Sequence, residues 1–241
     1  MVGKPFFTFN ALGSSIGEIN IYGEIASKNF WWDEDVVTAK EFKKQLDSLG
    51  NVETINVYIN SPGGDVFTGQ AIHSMLKRHD AHVNVYVDGL AASIASVIAM
   101  AGNTIHMPRN AMLMIHNPWT FAFGNAKDFR KTADDLDKIR DSILETYLGQ
   151  SPEMDRDELI SLLDNETWLT AQEALDLGLI DEITEENEVA ASISDNLFNR
   201  YQNVPKCFKT VQREEPSLKE PNNKEKQKME LELELELLNL V

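Results

Sequence analysis

The chain has 241 residues, 42% hydrophobic and 25% charged, so it can bury a substantial core and global disorder is not expected. Its 22 Lys and Arg against 39 Asp and Glu give a net charge of -17, which disfavours nucleic acid and anionic membranes as partners. The single cysteine, Cys207, excludes an internal disulfide framework and a Cys-x-x-Cys metal or redox site. Neither a secretory signal nor an apolar run of the roughly 20 residues that span a bilayer is visible, so we expect a cytoplasmic globular protein.

The first predicted elements alternate between strands and helices. In chain order they are a strand or hairpin at 16–25, a loop at 29–35 with Trp31 and Trp32, a helix at 39–49 capped by Thr38 and closed by Gly50, a strand at 54–60, a loop at 61–64 and a helix from Asp65. The strand at 54–60 places Ile55, Val57 and Ile59 on one face by its period of two.

The same alternation continues through the middle of the chain. We predict a strand at 83–87, a turn at Asp88-Gly89, an apolar helix at 92–101, strands at 104–107 and 111–116, a loop at 119–127, helices at 126–148, 155–163 and 171–177, and a short strand at 179–183. This spacing of strands and helices predicts an α/β fold with mostly parallel strands.

The composition changes near residue 185, where glycine disappears and Lys, Glu, Asn and Pro dominate. We therefore predict an N-terminal segment at 1–15, a folded domain at 16–184 and a charged C-terminal tail at 185–241. The strict alternation from Met229 to Leu237 suits a strand with one apolar face, although Glu and Leu also favour helices. The tail is either flexible or an ordered interaction element.

Two corners between a strand and a helix carry candidate chemistry. Residues 60–64 (NSPGG) combine paired glycines with the start of a helix, where backbone N–H groups attract negative charge. In residues 89–96 (GLAASIAS), a serine at such a corner projects its hydroxyl outward, and the N–H of Ile94 can face an oxyanion. A plain turn and a serine that packs a buried helix are the respective alternatives.

His116 strengthens the catalytic interpretation. It ends the run AMLMIH and precedes Asn117-Pro118, where proline ends the regular ladder, so the strand delivers the imidazole to an edge. A serine followed by a histidine at such positions suits a nucleophile and its general base. Asp164 and Glu166 are the candidate acids of a triad, with solvated loop carboxylates as the alternative.

Four motifs together resemble the proteolytic subunit of the Clp protease (ClpP). They are residues 58–64 (YINSPGG), 89–93 (GLAAS), 114–118 (MIHNP) and 168–181, which begins WLTAQEA and ends GLID. The resemblance covers about residues 16–184 in consistent order. Residues 91–102, 112–120 and 165–168 are closest to ClpP-like proteases of phages and prophages, which mature the capsid.

The resemblance implies a role for each matching residue. Ser93, rather than Ser96, matches the nucleophile, His116 matches the base, and the backbone N–H groups of Gly64 and Ile94 match the oxyanion donors. Glu166 stands where housekeeping members have Asp, and because Glu is one methylene longer, Asp164 is the alternative acid. No cofactor and no metal are implied.

The resemblance also implies a crotonase-like fold of stacked ββα units, with the helix at 126–148 as a protruding arm. Homo-oligomeric rings, as heptamers or stacked heptamers, and a polypeptide substrate follow from it, with capsid or portal proteins as candidate partners in the cytoplasm of a bacterial host. The N-terminus does not resemble the segment that engages an ATP-driven unfoldase, and the chain has no GxxxxGK[ST] motif, so an ATPase partner is not expected.

Three other functions remain open at this point. A housekeeping ClpP subunit would degrade unfolded proteins with an ATPase partner. An acyl-CoA hydratase or hydrolase of the same fold would use the two backbone donors for a thioester oxyanion, without needing both Ser93 and His116. A capsid assembly protein would keep the fold without the chemistry.

Overall fold

A single mixed sheet organises the part of the chain that the computed structural model describes, residues 7–12, 15–25, 38–186 and 201–205. Its strands are β1 Phe7–Leu12, β2 Ile16–Tyr22, β3 Thr54–Ser61, β4 His82–Ala92, β5 Thr104–Pro108, β6 Met112–Ile115, β7 Thr167–Thr170 and β8 Glu182–Thr184. The helices are α1 Ala39–Ser48, α2 Val66–Lys77, α3 Ile94–Ala99, α4 Ala126–Gln150, α5 Arg156–Asp164 and α6 Ala171–Asp176.

The strand order is β1-β2-β3-β4-β5-β8, and β6 and β7 branch from β4. All pairs from β2 to β8 along the main path are parallel, whereas β1 is antiparallel to β2 and β7 is antiparallel to β6. The prediction of an α/β fold with mostly parallel strands is therefore confirmed.

The long strand β4 connects the two parts of the sheet. Its residues 84–86 pair with β5, and its residues 90–92 pair in parallel with β6. The carboxyl ends of β4 and β6 therefore lie side by side, and whatever follows each strand is brought to the same edge.

The core lies between the sheet and the helices that follow its strands. Ile55, Val57 and Ile59 of β3 are fully buried, as the period-two pattern predicts. Helix α1 adds Phe42, and helix α2 adds Ile72. Burying one such side chain contributes about 1.5–3 kcal/mol, so this layer holds the loops above it in place.

Helix α4 is the arm that the resemblance implies. A capping box at Asn125 and Asp128 starts the helix, which then runs for 25 residues. Its buried residues, Ile143, Leu144 and Tyr147, all lie near the C-terminal end. Among the described residues, α4 is therefore anchored to the core through its C-terminal end, and its N-terminal part has no buried residue.

The structure corrects some predicted boundaries. The predicted turn at Asp88-Gly89 is wrong, because β4 continues to Ala92 and the Asp88 carboxylate accepts a hydrogen bond from Tyr22 in β2. The apolar helix begins at Ile94 rather than at residue 92, since the segment before it pairs with β6. Strands β1 and β7 had no separate prediction, and β1 lies within the predicted N-terminal segment.

The remaining helices and strands agree with their predictions to within a few residues. Thr38 caps α1 and Asp65 caps α2 through their side chains. The predicted loop with Trp31 and Trp32, Cys207 and the alternating segment Met229–Leu237 lie outside the described residues. Across the described ranges, no helix is long and apolar enough to cross a membrane.

The chain divides into two compact units, residues 1–204 and 205–241, and all the elements above belong to the first. The predicted boundaries at 16–184 stay a prediction.

Candidate active site

Ser93 occupies a strained corner between β4 and α3. Its backbone has φ 55° and ψ -128°, a conformation that non-glycine residues rarely adopt and that costs about 1–3 kcal/mol. The Ser93 N–H donates to the carbonyl of Met114 at 2.9 Å, which ties the corner to β6. A serine held this way presents its hydroxyl at the top of the sheet, as the nucleophile of a strand-to-helix turn does.

Gly63 lies directly behind this corner. A Cβ on Gly63 would lie 2.7 Å from the Cβ of Ser93 and 2.7 Å from the carbonyl oxygen of Ala92. The backbone of the 61–64 loop can therefore approach the serine this closely only where residue 63 has no side chain. The two corners singled out in the sequence thus pack against each other.

Ser96 has a different environment from Ser93. Its side chain is fully buried, and its hydroxyl lies 2.5 Å from the carbonyl oxygen of Ser93 and 2.7 Å from the Tyr147 hydroxyl. Burial raises the pKa of Tyr147 above its ordinary range, so this phenol stays protonated. Ser96 therefore links the corner to α4 and does not reach the surface.

His116 lies immediately after β6, with its Nε2 at 2.7 Å from Ser93 Oγ. The parallel pairing of β4 and β6 explains this contact, because it brings the residues after the two strand ends together. Burial lowers the pKa of His116, and the charge of Glu166 partly opposes that shift. A neutral imidazole at pH 7 accepts the hydroxyl proton, as a general base must.

Two backbone donors flank the serine. Among the described residues, neither the N–H of Gly64 nor that of Ile94 donates to another group. A Cβ on Gly64 would lie 1.9 Å from the carbonyl oxygen of Ile25, because Ile25 brackets the loop by bonding Gly63 and Asp65. The free N–H groups next to Ser93 are therefore held rigidly and can stabilise an oxyanion.

Glu166 is the carboxylate that acts on His116. It is 9% exposed, adopts φ 47° between α5 and β7, and lines one cavity of about 360 Å³ with His116. Its oxygens accept the backbone N–H groups of Gln202 at 2.9 Å and Asn203 at 2.6 Å. Among the described residues, its effect on the imidazole is electrostatic and not a direct hydrogen bond.

Asp164 lines the same cavity, but its carboxylate has a different hydrogen-bond partner. Its Oδ1 accepts the side-chain amide of Asn117 at 2.7 Å, whereas the charge that raises the pKa of His116 is that of Glu166. The geometry therefore favours Glu166 over Asp164 as the third member of a triad.

A cavity of about 270 Å³ opens over Ser93. Apolar side chains and the candidate catalytic groups both line this cavity. The lining residues are Glu24, Pro62, Gly64, Val66, Ser93, His116, Pro118, Trp119, Thr120, Phe121 and Tyr201. Across the described ranges no cluster of three or more His, Cys, Asp or Glu side chains is placed to hold a metal ion.

The structure thus brings all five predicted site residues together at one edge of the sheet. Sequence reasoning missed Tyr201, Gln202 and Asn203, which contact the same site from a segment assigned to the charged tail. No motif marks these residues, and their position depends on how the chain returns after β8.

Comparisons with known proteins agree on this region. The family model described as Clp protease matches residues 34–187. The ATP-dependent Clp protease proteolytic subunit of Bacteroides thetaiotaomicron is 35% identical over 156 residues, which cover 62% of this chain and 70% of that protein. The same-named protein of Bacteroides fragilis is 35% identical over 155 residues, covering 62% and 74%.

A solved structure of a single-substitution mutant of ClpP1 from Listeria monocytogenes is also similar. It is 27% identical, superimposes with a TM-score of 0.60, and is matched over 70% of this chain and 91% of that one. The ClpP-like α/β fold is therefore confirmed.

Proposed function

Because the chain belongs to the Clp protease family, we propose that it is a serine endopeptidase with a triad of Ser93, His116 and Glu166. The observation that carries the proposal is the 2.7 Å contact between His116 Nε2 and Ser93 Oγ beside two unoccupied N–H groups. Family membership alone implies a peptidase, and this contact supports the serine type.

The geometry supports an acyl-enzyme mechanism. Ser93 Oγ attacks the peptide carbonyl while its proton passes to His116 Nε2, and the tetrahedral oxyanion accepts the N–H groups of Gly64 and Ile94. His116 then protonates the leaving amine, and water attacks the acyl-Ser93 ester by the same route. The buried charge of Glu166 stabilises the imidazolium that forms in both steps.

A peptide substrate fits the cavity over Ser93. Its walls are mostly apolar, and residues of the 61–64 loop and of the loop at 118–121 both line it. An extended peptide can bind there as an added strand, with main-chain hydrogen bonds for affinity and the apolar walls for side-chain preference.

Exposed aromatic residues support assembly into a homo-oligomeric ring, which the family forms. Phe67, Trp119, Phe121, Phe123 and Phe129 are all exposed, with Phe123 at 99%. Four of them lie on the loop before α4 or on its first turn, and apolar patches of this kind mark protein interfaces. Native mass spectrometry will give the number of subunits, for which we propose heptamers or stacked heptamers.

The biological substrate is a finer question. We propose phage capsid or scaffold protein, on the phage-like character of the segments around Ser93, His116 and Glu166. The names of the Bacteroides relatives support a housekeeping subunit with an ATPase partner equally well. Degradation of an unfolded protein only with an added ATPase would favour that alternative, and cleavage of capsid protein without one would favour the first.

A fluorophosphonate probe tests the serine mechanism. We expect the probe to modify Ser93, as located by peptide mapping, and expect labelling to disappear in His116→Ala. Ser96→Ala is the matched control, because this buried serine should not be labelled and its loss should leave the modification at Ser93. An assembled, folded protein that takes no label would contradict the proposal and favour a non-catalytic capsid component.

The second candidate is an acyl-CoA hydratase or hydrolase, since the oxyanion donors Gly64 and Ile94 also suit a thioester. Thioester turnover that survives Ser93→Ala would favour it. The short contact between Ser93 and His116 favours the peptidase, because the thioester chemistry does not need that pair.

A further inference from the structure

Residues Tyr201–Val204, here called the strap, return to the active site after β8. The Asn203 side chain donates to the carbonyl oxygen of Asn165 at 2.7 Å, and the side chain of Val204 is buried. Tyr201 donates its hydroxyl to the carbonyl oxygen of Pro62. The strap therefore spans from the oxyanion loop to the loop that carries the triad acid.

The strap supplies the hydrogen bonds that hold the Glu166 carboxylate. Gln202 N–H donates to Oε2 at 2.9 Å and Asn203 N–H donates to Oε1 at 2.6 Å, so each oxygen has a backbone donor. The indole N–H of Trp168 adds a longer contact of 3.4 Å to Oε1. Glu166, which is buried and has a left-handed backbone conformation, is thus held in place by the strap.

Tyr201 also contacts the imidazole of His116 directly. Its ring meets His116 edge to face at a centroid distance of 5.6 Å and meets Trp168 in the same way at 5.7 Å. Such edge-to-face pairs favour one ring orientation. Tyr201 also lines the cavity over Ser93, where it forms one wall.

We propose that the strap is a positioning element of the active site: Gln202 and Asn203 hold Glu166 beside His116, and Tyr201 orients the imidazole and forms one wall of the substrate cavity. This inference rests on the proposed serine peptidase function. It extends the active site beyond the predicted domain end at residue 184.

The shape of the site indicates that the strap positions catalytic groups and does not block access to Ser93. The cavity of about 270 Å³ still reaches Gly64 and Ser93 with Tyr201 in its wall, so the strap does not fill the space over the nucleophile. His116 lines two cavities, and the other titratable groups that line them are Glu24, Asp164, Glu166 and Tyr201. Of these, Glu166 is the one whose charge raises the pKa of His116.

The test compares paired variants of the full chain by the rate of fluorophosphonate labelling. Gln202→Pro removes the N–H that Glu166 accepts, whereas Gln202→Ala keeps it. We expect Gln202→Pro to label about 10- to 100-fold more slowly, as misplaced catalytic groups do, and Gln202→Ala to label within about threefold of the wild type. Circular dichroism confirms that both variants are folded.

The pH profile of labelling separates positioning from general stability. With the carboxylate released, its charge no longer raises the pKa of His116, so the acid limb of Gln202→Pro should move to lower pH. Tyr201→Ala should slow labelling and Tyr201→Phe should restore most of the rate, because phenylalanine keeps the ring against His116. This second pair tests the proposal independently if proline at position 202 prevents folding.

Two results would overturn the proposal. Unchanged labelling in Gln202→Pro and Tyr201→Ala would mean that the strap has no role in the site. Faster labelling, with the acid limb moved to higher pH, would mean that the strap holds Glu166 away from His116. Labelling of wild-type Ser93 stays the separate test of the serine mechanism, so failure of the strap hypothesis leaves that result intact.

Discussion

The two halves of the candidate active site are built in different ways. In the half that contains Ser93, His116 and the two N–H donors, main-chain segments hold the groups in place. These segments are the ends of β4 and β6, the glycine loop at 61–64 and the start of α3. The Glu166 half depends on hydrogen bonds to the strap, which lies 36 residues further along the chain.

The difference shows which groups must have exact positions for catalysis and which group can be held in more than one way. The oxyanion donors and the nucleophile must keep positions fixed to within fractions of an ångström, and main-chain geometry on a packed sheet provides that. Glu166 acts on His116 through its charge, and this interaction depends less on exact position. A glutamate, one methylene longer than aspartate, can therefore serve when the strap holds its carboxylate. We therefore expect substitutions on the Ser93 half to cost more activity than substitutions on the Glu166 half.

The largest effects should come from Ser93→Ala and His116→Ala. Each removes a group that takes part in bond making or proton transfer, and we expect peptide hydrolysis to fall by about 10⁶-fold. The double variant should be no worse than either single variant, because the two groups act as a unit. A double variant that loses activity additively would contradict the pairing.

Gly63→Ala should come next, with a loss of about 100- to 1000-fold in kcat, the cost typical of one misplaced oxyanion donor. The added Cβ would collide with Ser93 Cβ and lies 3.2 Å from the Ile94 nitrogen.

Gly50→Ala is the matched control, because Gly50 also has a positive φ but its Cβ would meet nothing within 4 Å. It should lower stability by about 1–2 kcal/mol and leave kcat unchanged. Equal activity losses in both variants would show that backbone strain alone is responsible.

Glu166→Gln should lower kcat by about 100-fold or more, since it removes the charge that stabilises the imidazolium. Asp164→Asn should change kcat by less than about threefold, because Asp164 bonds Asn117 instead. Steady-state kinetics on one peptide substrate compare the two. A larger loss in Asp164→Asn would transfer the role of the acid to Asp164.

The pH dependence should show the environment of His116. Burial lowers its pKa, and the base works when neutral, so the acid limb of labelling should have its midpoint below about 6.5. The rate rises as pH increases through that midpoint. Glu166→Gln removes the charge that raises this pKa, so the midpoint should move further down, and an upward movement would contradict the assigned interaction.

Ser96→Ala should have the smallest effect on catalysis and a clear effect on stability. It leaves the buried Tyr147 hydroxyl without its partner, at a cost of about 1–3 kcal/mol in the free energy of unfolding. The double variant with Tyr147→Phe should recover part of that loss, because neither polar group then remains buried. Urea denaturation measures both, and a Ser96→Ala variant with full stability would contradict the contact.

Much of the fold could be predicted from local patterns. Period-two strands such as β3, and helices with clear caps such as Thr38 and Asp65, are determined by neighbouring residues. The turn predicted at Asp88-Gly89 was wrong because tertiary pairing with β6 overrides the local preference for a turn.

The candidate site divides in the same way. Ser93, His116, Gly64 and Ile94 lie within short motifs, so the sequence identifies them and the strand pairing explains why they meet. Glu166 lies two residues before Trp168 in a similar motif, but its hydrogen-bond partners Gln202 and Asn203 lie in a segment without any pattern. Contacts across such a separation depend on the whole fold and cannot be derived from local sequence.

The most direct test of the account is a crystal structure of the protein after reaction with a fluorophosphonate. We predict a covalent bond to Ser93 Oγ, with the phosphonyl oxygen about 2.7–3.1 Å from the nitrogens of both Gly64 and Ile94. A phosphonyl oxygen that points to solvent, or an adduct on another residue, would contradict the proposed active site.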